Sequence, residues 1–244
     1  MAEAASKHVV QSAKAFAADS TDSVVKEIAK ISLKNADDKL LRVLQQNNLA
    51  HNVKLSGIDI GRVKEHPCLL FSDMLDTMVA EGRFGKLVGG DLANSTEPML
   101  DFWTSYKWAN PNHPVFESGK PLNKCVPIYA HADGGRGKKK HEFMVLSSQP
   151  VLGKGTNKMR KVTKTIKKAK VNMAGHSFTT RYLFGCMDND KYRIDIGPFY
   201  ALLSTYAKDL RQLYDNGFDV KGETYFAVLL GLKGDFPLLA KAGR

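Results

Sequence analysis

A mixed α/β fold, with a small helical region ahead of a mixed sheet packed on helices, is predicted by three features of the sequence. Apolar residues recur at helical spacing between Thr21 and Tyr106. Two prolines and two asparagines then interrupt the chain at Ala109–Pro114. Beyond them, β-prone runs alternate with one long amphipathic helix. With 244 residues and 43% hydrophobic content, the chain can bury a substantial core.

Residues 1–20 are Ala-rich and poor in bulky apolar groups, so a flexible N-terminus, frayed helix or disorder, is expected. Thr21 or Asp22 can cap a helix carrying Val24, Val25, Ile28, Ile31 and Leu33, and Asn35 can start a second carrying Leu40, Leu41 and Leu44. Val53–Ile60 alternates weakly and admits a short strand or an extended connection. After Pro67, Leu70, Met74, Leu75, Met78 and Val79 share one helical face that stops at Gly82. Pro98 opens a further helix with Leu100, Trp103 and Tyr106 expected inward. Residues 21–108 are therefore read as a helical region, and residues 115–244 as a separate α/β domain.

That domain opens with Val126–Ala132, which delivers Asp133 to a glycine-rich turn, followed by Lys138, Lys139 and Lys140. Phe143–Ser148 then resumes as a second strand, so the pair reads as a hairpin with an acid at its mouth and cations on its loop. Asn172–Phe184 favours a strand, with a helix from Thr179 as the alternative. Pro198 begins a helix with Leu202, Leu203, Tyr206, Leu210, Leu213 and Tyr214 on one face, ended by Gly217. Thr224–Leu232 is apolar at consecutive positions, as in a central strand, and leads to Asp235.

Charge narrows the function classes. Residues 1–120 carry 14 Lys and Arg against 15 Asp and Glu, whereas residues 121–244 carry 22 against 10. A wholly one-sided excess points to a polyanion, with nucleic acid ahead of an acidic membrane surface. The loop 153–170 holds Lys154, Lys158, Arg160, Lys161, Lys164, Lys167, Lys168 and Lys170 with no acid, and also fits a nuclear-import signal. His176 and Arg181 add candidate phosphate contacts, as does Arg136. No apolar run approaches the ~20 residues of a membrane span, nothing marks secretion, and an intracellular, nuclear address is expected. Cys68, Cys125 and Cys186 lack paired spacing and are expected to be reduced thiols, Cys125 as a small buried hydrophobe.

A helix between the last two strands can return the fourth strand beside the first by a crossover, bringing Asp133 and Asp235 side by side. Adjacent carboxylates repel unless a divalent cation bridges them, and oxygen-only ligation suits Mg²⁺ or Mn²⁺. On these two acids and this strand order, the stretch from Val126 to Asp235 resembles the ribonuclease H-like core of DDE-type transposases and integrases. The resemblance implies a DNA partner and assigns Asp133 and Asp235 as metal-holding catalytic residues. The segments His131–Gly137, Gly175–Arg181 and Gly231–Pro237 also make the chain similar to multicopy protist proteins of mobile-element origin. The transposase family places a third acid on a helix well beyond the second. Arg244 follows Asp235 by nine residues, and the spacing of Glu142 and Glu223 recommends neither. A decayed or truncated element, or a domesticated binding protein that keeps the fold, is therefore expected.

Other chemistries fit less well. A non-catalytic nucleic-acid-binding or structural protein needs only the basic half of the chain. A zinc site from His131, His141, His176 and Cys186 uses competent ligands at a spacing no zinc motif shares. Gly134–Lys138 lacks the phosphate-loop spacing and is followed by a strand, which excludes that enzyme class.

Overall fold

In the computed structural model, residues 2–47, 49–61, 63–90, 95–136, 142–153, 171, 181–188, 190, 192 and 194–234 are described. The chain divides into two compact units, Met1–Asn52 and Val53–Arg244. In the first unit, the residues read as frayed helix or disorder form helix α1 (Ala2–Phe16). Its Val10 is fully buried with Ile28, Ile31, Ala36, Leu40 and Val43, and Ala13 packs against the same cluster. A stripe this narrow leaves little periodic signal in sequence, yet it is enough to close a three-helix core. Asp22 starts α2 (Ser23–Ala29) as predicted, its Oδ1 accepting from the N–H groups of Val24 (2.8 Å) and Val25 (3.1 Å). Asn35 precedes α3 (Ala36–Gln46) in the left-handed region, which Asn tolerates better than most residues.

The second unit begins with a hairpin, β1 (Ser56–Ile60) and β2 (Val63–Cys68), then α4 (Phe71–Ala80) and α5 (Thr96–Ala109). On α5 the inward residues are Met99 and Trp103, whereas Leu100 is 43% exposed, which corrects the expected placement of Leu100. The helix turns its aromatic side inward: Phe102 and Tyr106 stack at 5.6 Å and both meet Trp103 edge-on. The prolines at 111 and 114 redirect the chain without dividing the core, because the Trp103 indole N–H donates to the Cys125 carbonyl (2.9 Å). Met99, Trp103, Phe71 and Met78 share one buried cluster with the sheet. The division therefore falls after Asn52, and not at the Pro- and Asn-rich stretch.

The main sheet contains β3 (Cys125–Arg136), β4 (Glu142–Pro150), β5 (Tyr182–Asp188), β6 (Phe218–Val220) and β7 (Glu223–Lys233), in the order β5-β4-β3-β7-β6. β3, β4 and β5 form an antiparallel meander, and α6 (Gly197–Asp215) follows β5. β7 then lies parallel to β3, the fourth long strand beside the first, as the pattern predicted. Of the expected strand at Asn172–Phe184, residues 172–180 lie outside the described residues, and the strand begins at Tyr182, just after Arg181. α6 crosses one sheet face through Phe199, Leu202, Tyr206, Leu210 and Leu213. Its Tyr206 ring lies 4.6 Å from Phe184, and the Tyr206 hydroxyl donates to the Ser147 carbonyl (3.1 Å) and meets Ser148 Oγ (2.7 Å). Burial pushes the Tyr206 phenol far above its ordinary value, so it stays a neutral donor.

Candidate nucleic-acid interface

Alternation along β3 separates two sets of side chains. Ile128, Ala130 and Ala132 are buried on the side met by α6, since Ser148, which bonds Tyr206, pairs with Ala130. Tyr129, His131 and Asp133 take the other side, the first two half-buried and Asp133 exposed. Asp133 stands opposite Val145 inside the hairpin ladder, because β3 runs on through Gly134 and Gly135 to Arg136. It is therefore three residues short of the strand end predicted for it: antiparallel pairing with β4 holds the glycines extended. Pairing with β7, in contrast, ends at His131–Lys233, so Asp133 lies just past that parallel pair.

The register sets a row of four residues across four strands: Leu183 opposite Ser147, Ser147 opposite His131, and His131 opposite Lys233. One cation ends this row and a second lies beside it. The Lys233 ammonium rests 3.9 Å from the centre of the Tyr129 ring. Arg181, immediately before β5, is exposed and close enough for its charge to act on both His131 and Lys233. Burial first, then Arg181, holds the Lys233 ammonium below its ordinary range. Burial also lowers the His131 imidazole, reinforced by Arg181 and Lys233 and opposed by Asp133. Neither Arg181 nor Lys233 has a carboxylate ion-pair partner among the described residues. Two cations that no described carboxylate neutralises, beside a half-buried imidazole, repel one another and gain from an anion placed between them.

The placement of the remaining predicted residues is uneven. Arg136 closes the ladder in register with Glu142. Lys138, Lys139, Lys140, Lys158, Arg160, Lys161, Lys164, Lys167, Lys168, Lys170, His176 and Asp235 lie outside the described residues. Glu223 is no third acid for the strand ends: it opens β7 ten residues before Lys233, roughly 33 Å along a strand, and its Oε1 binds Lys124 Nζ (3.1 Å). Cys186 lies opposite Val145, itself opposite Asp133, and two strand spacings of about 9.5 Å keep thiol and carboxylate from one ion. No group of three His, Cys, Asp or Glu side chains among the described residues is placed to hold a metal ion. Of the two carboxylates expected to hold Mg²⁺ or Mn²⁺, Asp133 is among the described residues and Asp235 is not.

Sequence reading did not single out Lys233 or Tyr129. A signal was present, since a lysine closing an otherwise apolar strand must bring its charge to the sheet's end. Among the described residues no helix is long and apolar enough to cross a membrane. The chain has no match among family models, curated proteins or solved structures.

Proposed function

We propose that the chain grips nucleic acid, DNA first, with the sheet surface around His131 of β3 and Lys233 at the end of β7 and with the basic segments 138–140 and 153–170. The observation carrying this reading is the pair Arg181 and Lys233, brought by the register to nearly one level across the sheet without a carboxylate partner among the described residues, in the half of the chain that holds all the excess charge. Phosphodiester oxygens satisfy both cations, and the half-buried His131 offers a hydrogen bond beside them. The order of an antiparallel meander, a helix and a parallel return supports descent from a transposase- or integrase-like, ribonuclease H-like core. The test is fluorescence anisotropy on labelled duplex DNA with Arg181→Gln/Lys233→Gln. The double variant is expected to bind at least about tenfold more weakly. Unchanged affinity would remove this surface from the interface.

A second reading, residual metal-dependent phosphodiester chemistry, is favoured by register. Asp133 follows His131 by two residues and Asp235 follows Lys233 by two, while His131 and Lys233 are parallel partners. Asp133 and Asp235 would hold Mg²⁺ or Mn²⁺, which when bound activates water or a 3′ hydroxyl and stabilises the leaving oxygen. Arg181 and Lys233 would position the phosphate. Incubation with labelled DNA and Mn²⁺ decides: nicking or joining that Asp133→Asn abolishes supports chemistry, and equal traces from both proteins leave binding alone.

A further inference from the structure

The helical unit reads as nearly neutral by count, with seven Lys and Arg against six Asp and Glu in residues 1–52. The fold distributes those charges unevenly. Lys39, Arg42, Val43 and Gln46 fall at i, i+3, i+4 and i+7 on one face of α3 and look across at Glu27, Lys30, Ile31 and Ser32 at the end of α2. Between them is an open cleft of about 350 Å³. Lys30, Lys39 and Arg42 have no carboxylate partner among the described residues. The one acid in the lining, Glu27, already accepts at Oε2 from the Asn47 amide (2.9 Å). The two apolar side chains of the lining are closed off, with Ile31 6% and Val43 9% exposed, whereas Lys30, Ser32, Lys39, Arg42 and Gln46 are all exposed.

We infer that this cleft is a second phosphate-binding site, taking the backbone of the nucleic acid that the sheet surface also engages. A peptide would need an open apolar pocket for an anchoring side chain, and the buried Ile31 and Val43 leave none, whereas a phosphate backbone needs the cations that the lining supplies. Placing two phosphate sites on one chain makes engagement of the second intramolecular, so affinity rises without any new contact type. The inference rests on the nucleic-acid reading for the identity of its ligand.

The experiment measures binding of labelled DNA by the full chain over a range of salt, comparing the wild type with Lys30→Gln/Lys39→Gln/Arg42→Gln. Each lost phosphate contact flattens the plot of log affinity against log salt by about 0.9 on duplex DNA, so the triple variant should be shallower by about two to three units. A wild-type slope retained by a folded variant overturns the second site. Absence of salt-dependent binding by the wild type overturns the nucleic-acid reading itself. If the variant does not fold, amide chemical-shift mapping of the wild type with a short oligonucleotide replaces it. Shifts at Lys30, Lys39 and Arg42 support the site, and their absence at saturation removes it.

Discussion

A carboxylate withdrawn from water is stable only when donors surround it, and Asp209 on α6 has three. Its Oδ2 accepts from the N–H groups of Phe71 (2.6 Å) and Ser72 (3.3 Å), and its Oδ1 from the Ser72 hydroxyl (2.6 Å). Leu70, at the N-cap of α4, has no side chain able to cap it, so α6 supplies the cap from 138 residues away. Asp209→Ala should therefore destabilise by about 3 kcal/mol in urea unfolding, since it strands buried donors; Asp209→Asn, which keeps an acceptor, should lose less. The thiols make a second residue-scale prediction. Burial pushes Cys125 up to about 11 and the Tyr182 phenol up to about 12, so the native chain holds these protons after the unfolded chain has released them. Their contribution is complete below pH 9 and is lost as pH rises through 11 to 12, which denaturant titrations at pH 8 and 10.5 will register as falling stability. Cys186 is exposed whereas Cys68 and Cys125 are buried. Iodoacetamide should thus label Cys186 in the native protein and the other two only after denaturation.

Elements announce themselves in sequence when their periodicity is strong. α6, α4 and the β3–β4 hairpin were legible because each buries one regular face: Leu202, Tyr206, Leu210 and Leu213 on α6, and Met74, Leu75 and Met78 on α4. β2 was not, since Lys64, Glu65 and His66 give a two-stranded hairpin no apolar alternation. β6 escaped notice because three residues cannot establish a period, and its reversal through Lys221 and Gly222, both with positive φ, lacks the Asn-Gly signal of such turns. Gly217 was read correctly as the stop after α6, and its surroundings explain the requirement. Its φ is +73°, and a Cβ there would lie 2.6 Å from both the Tyr225 carbonyl oxygen and Thr224 Cγ2. Gly217→Ala should accordingly destabilise by about 2 kcal/mol, more than an unhindered left-handed glycine loses. Thermal melting of that variant beside Gly222→Ala, whose added Cβ meets nothing within 4 Å, separates the clash from the backbone strain.

Across the whole molecule, the candidate site was legible as charge and illegible as geometry. Counting located the basic half, but only the register put Lys233 beside His131 and ended the β7 pairing just short of Asp133. The helical unit escaped altogether, because averaging Lys30, Lys39 and Arg42 with distant acids cancels what the fold keeps apart. If phosphate neutralisation dominates recognition, affinity for unrelated duplexes of equal length should differ by less than about threefold and fall steeply with salt. Competition with duplexes of shuffled sequence checks this, and a strong preference among them would require base contacts instead.

The parallel partnership of Cys125 with Phe226 joins strands roughly a hundred residues apart, which makes closure of the sheet's centre a slow, late event. On the ribosome, the β3–β4 hairpin emerges long before its neighbour and must wait with a bare row of amide and carbonyl groups along one side. During that interval the nascent chain is open to strand exchange with other copies, so chaperone supply and translation speed should govern its yield more than the stability of the finished protein does.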